Sequence, residues 1–153
     1  MSITETLKKL KINLPNPPNP VGAYVAFKIV DKLIFISGQL PIDEKGNIIK
    51  GKIGKNLSLE DGQKAAKFCA INILAQAKKA VGGDLEKIKS CIKITGFVNS
   101  SDDFIDQPKV INPASELLSS VFGNNGKHAR AAVSTNSLPL GVAVEIDAIF
   151  EIF

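Results

Sequence analysis

Residues 142–153, "VAVEIDAIFEIF", alternate in character along their whole length. Val142, Val144, Ile146, Ala148 and Phe150 fall on one side. Ala143, Glu145, Asp147 and Ile149 fall on the other. A period of two is the period of a β-strand. The first side is wholly apolar and demands a covering layer. The second carries two carboxylates among apolar neighbours, a mixed surface that suits contact with a partner subunit.

The covering layer is found upstream. From Leu59 to about Val81 the apolar positions recur with helical spacing, placing Ala66, Cys69, Ala70, Ile73, Ala77 and Ala80 on one stripe of small residues that can pack closely on a sheet. Ser58 with Asp61 three residues on reads as an N-cap, and Gly82 and Gly83 end the helix. A second helix is expected from Asn112 or Pro113 to Phe122, with proline tolerated at its first turn. "YVAFKIVDKLIFISG" (24–38) reads as a two-stranded hairpin turned at "VDK". "KIKSCIKITGFVN" (87–99) alternates as a strand, with Ile92, Ile94, Gly96 and Val98 expected on one face. "ARAAVSTN" and the terminal segment form two further strands joined by "SLPLG"; 39–56 and 123–127 are expected as loops.

The order β-β-α-β-α-β-β predicts an α+β fold, a mixed β-sheet with two helices packed on one face. At 153 residues, 44% of them hydrophobic, residues 1–153 are expected to form a single domain. Residues 1–22 form an extended, proline-rich lead-in, with Ile3, Leu7 and Leu10 able to line one side of a short amphipathic turn. There is neither an apolar run long enough for a membrane span nor a secretory core at the N-terminus, so the expected compartment is the cytoplasm and no membrane is a partner. Cys69 and Cys91 form no paired motif and are expected as reduced core filler.

The chain carries a net charge of +4. The lysines are dispersed and lack interleaved aromatic residues, so nucleic acid is not an expected partner. With one histidine, His128, no His-rich metal site can be built. His128 stands beside Lys127 without a GxSxG motif and is read as an exposed loop residue; GxGxxG and phosphate-loop patterns are absent. What stands out is Arg130, the sole arginine against 18 lysines. A guanidinium offers a planar fork for a carboxylate and keeps its proton, whereas lysine offers a point charge. The plain alternatives are a salt bridge with Glu145 on an adjacent strand, or compositional chance.

"SGQLP" (37–41) after "GAYV" (22–25), with "ARAAV…LPLGVAVEIDAI" (129–149), resembles the Rid family of reactive intermediate deaminases, also called YjgF or L-PSP endoribonuclease-like proteins. The resemblance spans roughly residues 20–150. It implies a chorismate-mutase-like fold assembled as a homotrimer, with a central barrel of sheets and ligand clefts between subunits. It implies hydrolytic deamination of 2-imino acids or enamines to 2-keto acids and ammonia, without a cofactor or metal. Arg130 would bind the substrate carboxylate and Glu145 would place water. Tyr24 would be a third catalytic residue, hydrogen-bonding the substrate; Asn112, Ser37 and Gly38 would line the cleft, Gly38 through its backbone. Ala132 replaces the family's usual cysteine, and Ser137 replaces a residue that is often charged. With longer stretches at 50–60 and 100–113, the chain resembles a longer subgroup. The alternatives are a small-carboxylate binding protein or metabolite sensor and, less favoured, an endoribonuclease.

Overall fold

The computed structural model describes residues 1–20 and 22–153; the lead-in's Val21 lies outside the described residues. Five strands form one mixed sheet: β1 (Phe27–Val30), β2 (Leu33–Gln39), β3 (Ile88–Asn99), β4 (Ala129–Thr135) and β5 (Val144–Ile152). Their spatial order is β1-β2-β5-β3-β4. All neighbours run antiparallel except β3 and β4, which are parallel and joined through a helix. Helices α2 (Leu59–Ala80) and α3 (Gln107–Phe122) pack on one face of the sheet. Between them and the sheet lies the core, with Ile34, Ile73, Ile94, Ile146 and Phe150 fully buried.

Local chemistry explains α2. Ser58 Oγ accepts the Asp61 backbone N–H at 3.1 Å, and an Asp61 carboxylate oxygen accepts the Ser58 N–H at 2.9 Å. This reciprocal pair satisfies two donors that the first turn leaves free. Ala66, Cys69, Ala70, Ile73 and Ala77 are fully buried, while Ala80 is only partly so. Gly82 takes a φ of 71° just beyond the last turn. Both cysteines are free and buried, and burial pushes the Cys91 thiol up to about 12.

Four expectations need correction. The lead-in is not extended throughout: α1 (Ile3–Lys9) is a short helix capped by Ser2 and Glu5, with Leu7 buried against the body. On β3 a register shift between Cys91 and Lys93 turns Cys91 inward and leaves Ile92 40% exposed; a strict alternation cannot show such a bulge. Helix α3 begins at Gln107, five residues before Asn112, so Pro108 occupies its first turn and Pro113 its interior. Pro113 cannot donate to the Lys109 carbonyl, and that oxygen instead accepts Gln63 Nε2 from α2 at 2.9 Å. Finally, 39–56 is not a simple loop. Ile53 is fully buried and its backbone bonds to Asn99 and Ser101.

The other sheet face is open. Phe35 is 42% exposed and Val133 45% exposed on it, beside the half-buried Phe97, Glu145, Asp147 and Ile149. Among the described residues, no helix is long and apolar enough to cross a membrane.

Candidate functional site

Arg130 lies near the start of the edge strand β4, level with Ile94 on β3 and Ala148 on β5. Ile94 and Ala148 are buried under the helices, so Arg130 projects from the helix-covered side. There it meets α3. Its Nη1 donates to Asn112 Oδ1 at 2.9 Å and to Ser115 Oγ at 3.2 Å, and Nη2 reaches the Pro108 carbonyl at 3.4 Å. All three acceptors are neutral. The two ion pairs among the described residues are Lys89–Glu151 and Lys109–Asp106, and neither involves Arg130. Nη1 is therefore occupied by the chain's own oxygens. Nη2 makes one long contact and Nε none among the described residues, so the Nε–Nη2 side is the less committed edge for a bidentate anion.

Glu145 occupies another place. It pairs with Phe97, which is level with Val133 on β4, and it projects from the open face. β3 stands between β4 and β5, so Arg130 and Glu145 are two strand spacings apart across the sheet, about 10 Å, offset by three residues along it, about 10 Å more, and on opposite sides. The expected Arg130–Glu145 bridge between adjacent strands does not form.

What Glu145 touches is Gly38. A one-residue irregularity between Ile36 and Gln39 interrupts β2 at Ser37 and Gly38. A Cβ on Gly38 would come within 2.8 Å of Glu145 Cδ and 3.0 Å of its Cγ. Only glycine leaves room for the carboxyl group to rest on the strand. Burial pushes the Glu145 carboxyl above the usual range, and the neighbouring Asp147 carboxylate pushes it further. Gly38 and Tyr24 also line a concavity of about 180 Å³. Pro18 from the lead-in, Gln39 from β2 and Asn72 and Gln76 from α2 enclose it. Tyr24 itself is half exposed. Ser37 faces a different hollow, of about 410 Å³, on the open face with Phe35, Thr95 and Asp147. Its hydroxyl donates to the Val25 carbonyl at 2.7 Å and so ties down the segment entering β1.

The expected site residues thus form two groups. Arg130 and Asn112 are joined at the β4 edge, while Tyr24, Gly38 and Glu145 gather at the end of β2, with Ser37 adjacent. Two neighbours of Arg130 escape sequence reasoning. Ser115 bonds the guanidinium directly. His128 is not an exposed loop residue: it is partly buried and bonded to Ser115 and Gly126. No local pattern marks a contact between a helix face and a loop 13 residues away.

Gly38 gives a direct test of this geometry. The clashing atoms belong to the flexible end of Glu145, so Gly38→Ala is expected to melt near the wild-type temperature. It displaces the Glu145 carboxyl group, a shift that the side-chain carboxyl ¹³C resonance reads beside a thermal melt.

Comparison with known proteins agrees with this architecture. Residues 5–151 match the family model described as "YjgF/chorismate_mutase-like, putative endoribonuclease". Protein TCP17 of Trypanosoma cruzi is 40% identical over 98% of this chain and 94% of its own. The human 2-iminobutanoate/2-iminopropanoate deaminase is 28% identical over 90% of this chain and 86% of its own. Among solved structures, Atu1372 of Agrobacterium tumefaciens superposes with a TM-score of 0.91, at 47% identity over 99% of this chain and 94% of its own. With its mixed five-stranded sheet, its helices on one face and a family match over nearly its whole length, this chain belongs to the YjgF/Rid family.

Proposed function

We propose that the protein hydrolyses reactive 2-imino acids, or their enamine tautomers, to 2-keto acids and ammonia in a cleft between two subunits of a homotrimer. The observation that carries this proposal is the Arg130 guanidinium, which the chain holds on neutral oxygens through its two Nη atoms, with no carboxylate partner among the described residues. A carboxylate-bearing metabolite supplies that partner. The relationship to a human imine deaminase supports the reaction class.

Arg130 and Glu145 lie on opposite sides of one sheet, so they converge only if different subunits contribute them. In the proposed cleft Arg130 and Asn112 of one subunit hold the substrate carboxylate. Tyr24, Ser37, Gly38 and Glu145 of its neighbour face the imine carbon. The exposed apolar face around Phe35 and Val133 suits burial at the centre of such a trimer. Glu145 as carboxylate takes a proton from water as the oxygen adds to the imine carbon. Glu145 returns that proton to the nitrogen of the resulting amino alcohol; the C–N bond breaks, ammonia leaves, and the hydroxyl proton passes to solvent as the keto group forms. The iminium carbon is already electrophilic, so positioning supplies much of the acceleration.

The test generates imine in situ with an amino acid oxidase and follows keto-acid release. Release above the spontaneous rate is expected; a rate equal to that in buffer contradicts the proposal. A second possibility, a small-carboxylate binder, is favoured by one observation: within one chain the Arg130 fork is complete without Glu145. It predicts that 2-keto acids raise the melting temperature while imine hydrolysis stays at background.

A further inference from the structure

We propose that Ser115 and His128 are positioning residues: a directed hydrogen-bond relay that fixes the Arg130 guanidinium for its ligand. The relay rests on the carboxylate-binding role proposed for Arg130 and adds residues that the family resemblance does not assign.

Its direction follows from donor and acceptor chemistry. His128 Nδ1 lies 2.6 Å from the Gly126 carbonyl oxygen. A carbonyl only accepts, so Nδ1 carries the proton. In a neutral imidazole Nε2 is then an acceptor. Ser115 Oγ lies 2.8 Å from Nε2 and has a single proton to give. That proton goes to the histidine, which turns a serine lone pair toward Arg130 Nη1 at 3.2 Å. Three bonds thus point one way: Arg130 to Ser115, Ser115 to His128, and His128 to Gly126. Bonds aligned in series polarise one another.

The anchor of the relay is fixed in turn. A Cβ on Gly126 would lie 2.7 Å from the Leu118 carbonyl carbon and 2.8 Å from Ser119 Cα, so only glycine lets this loop seat on α3. The Gly126 carbonyl is therefore held where it sets the His128 tautomer. Asn112 Oδ1 takes Nη1 as well, at 2.9 Å. Together Asn112 and Ser115 commit Nη1 to the protein, so that the Nε–Nη2 edge, held only by the long Nη2 contact to the Pro108 carbonyl, meets the ligand. His128 touches neither Arg130 nor any reacting atom; it acts through Ser115.

Because Arg130 is the only arginine, its Nε–H gives the sole arginine cross-peak in a ¹⁵N spectrum of the full chain. Ser115→Ala, His128→Phe and His128→Gln are compared with wild type, with 2-oxobutanoate as the probe. Ser115→Ala and His128→Phe are expected to move and broaden that peak in the free protein and to weaken 2-oxobutanoate about ten-fold. His128→Gln is expected to restore both, since its amide oxygen can accept the serine proton as Nε2 does. An unmoved peak with wild-type affinity in Ser115→Ala overturns the relay. A His128→Gln as impaired as His128→Phe overturns the role given to Nε2. The free-protein peak reads the relay without ligand. Failure of the wild type to bind 2-oxobutanoate therefore counts against the carboxylate role of Arg130 and is distinguishable from failure of the relay. Should His128→Phe fail to fold, Ser115→Ala still decides.

Discussion

Replacing Arg130 with lysine is expected to lower kcat/KM for imine hydrolysis about 100-fold, and to weaken 2-keto acid binding in proportion. The charge is kept, so the loss isolates the fork. Lysine cannot reach Asn112 and Ser115 with one nitrogen while offering two parallel donors to a carboxylate. Charge-assisted hydrogen bonds contribute about 1.5–3 kcal/mol each, and each 1.4 kcal/mol corresponds to roughly a factor of ten. The carboxylate is bound in ground state and transition state alike, so much of the loss should appear in KM. The substitution also gives up hydrogen bonds to Asn112, Ser115 and Pro108, so a modest fall in melting temperature is expected beside the kinetic loss. Steady-state kinetics and a thermal melt on the same preparation check both parts. Equal kcat/KM for wild type and Arg130→Lys removes the role given to the fork.

Glu145→Gln is expected to cost more, about 1,000-fold in kcat with KM nearly unchanged, because a general base acts on the transition state. The pH profile carries the signature. Glu145 works as a carboxylate, so turnover rises as pH climbs through its pKa. Burial and the Asp147 charge hold that pKa above the usual range, which places the acid limb higher than for a free glutamate. Asp147→Asn removes one of those causes and should move the limb to lower pH. Stability follows the opposite course. A carboxyl group with a raised folded-state pKa binds its proton more tightly folded than unfolded, so its contribution falls as pH rises from the unfolded pKa through the folded one. Glu145→Gln should thus melt at or above the wild-type temperature at neutral pH while losing turnover. An acid limb that persists unchanged in Glu145→Gln assigns the base elsewhere.

The elements whose signals are local were legible in the sequence. Ser58 and Asp61 announce α2, and Gly82 closes it, because caps act within one turn. The inward face of β5 follows from alternation alone, since Val144, Ile146, Ala148 and Phe150 are all buried. The same capping pattern stands at Ser2 and Glu5, and it marks α1 before the proline-rich stretch begins. Pro108 is equally a first-turn signal, and it places the start of α3 correctly where Pro113 does not. What a sequence does not carry locally is pairing. β4 and β5 are consecutive strands, yet β3 lies between them, because the crossover through α3 sets β4 parallel to β3 at the sheet edge. That one fact separates Arg130 from Glu145. The bulge at Ile92 and the Ser115–His128 contact likewise depend on which segments meet in space.

The most direct measurement of the composite cleft mixes two defective proteins. Arg130→Lys and Glu145→Gln variants are co-expressed with different tags, and assemblies carrying both are isolated and assayed. If each cleft takes Arg130 from one subunit and Glu145 from its neighbour, every mixed trimer carries one intact cleft of its three, and imine hydrolysis returns to about a third of wild type. Mixed assemblies no more active than the separate variants would contradict a site shared between subunits.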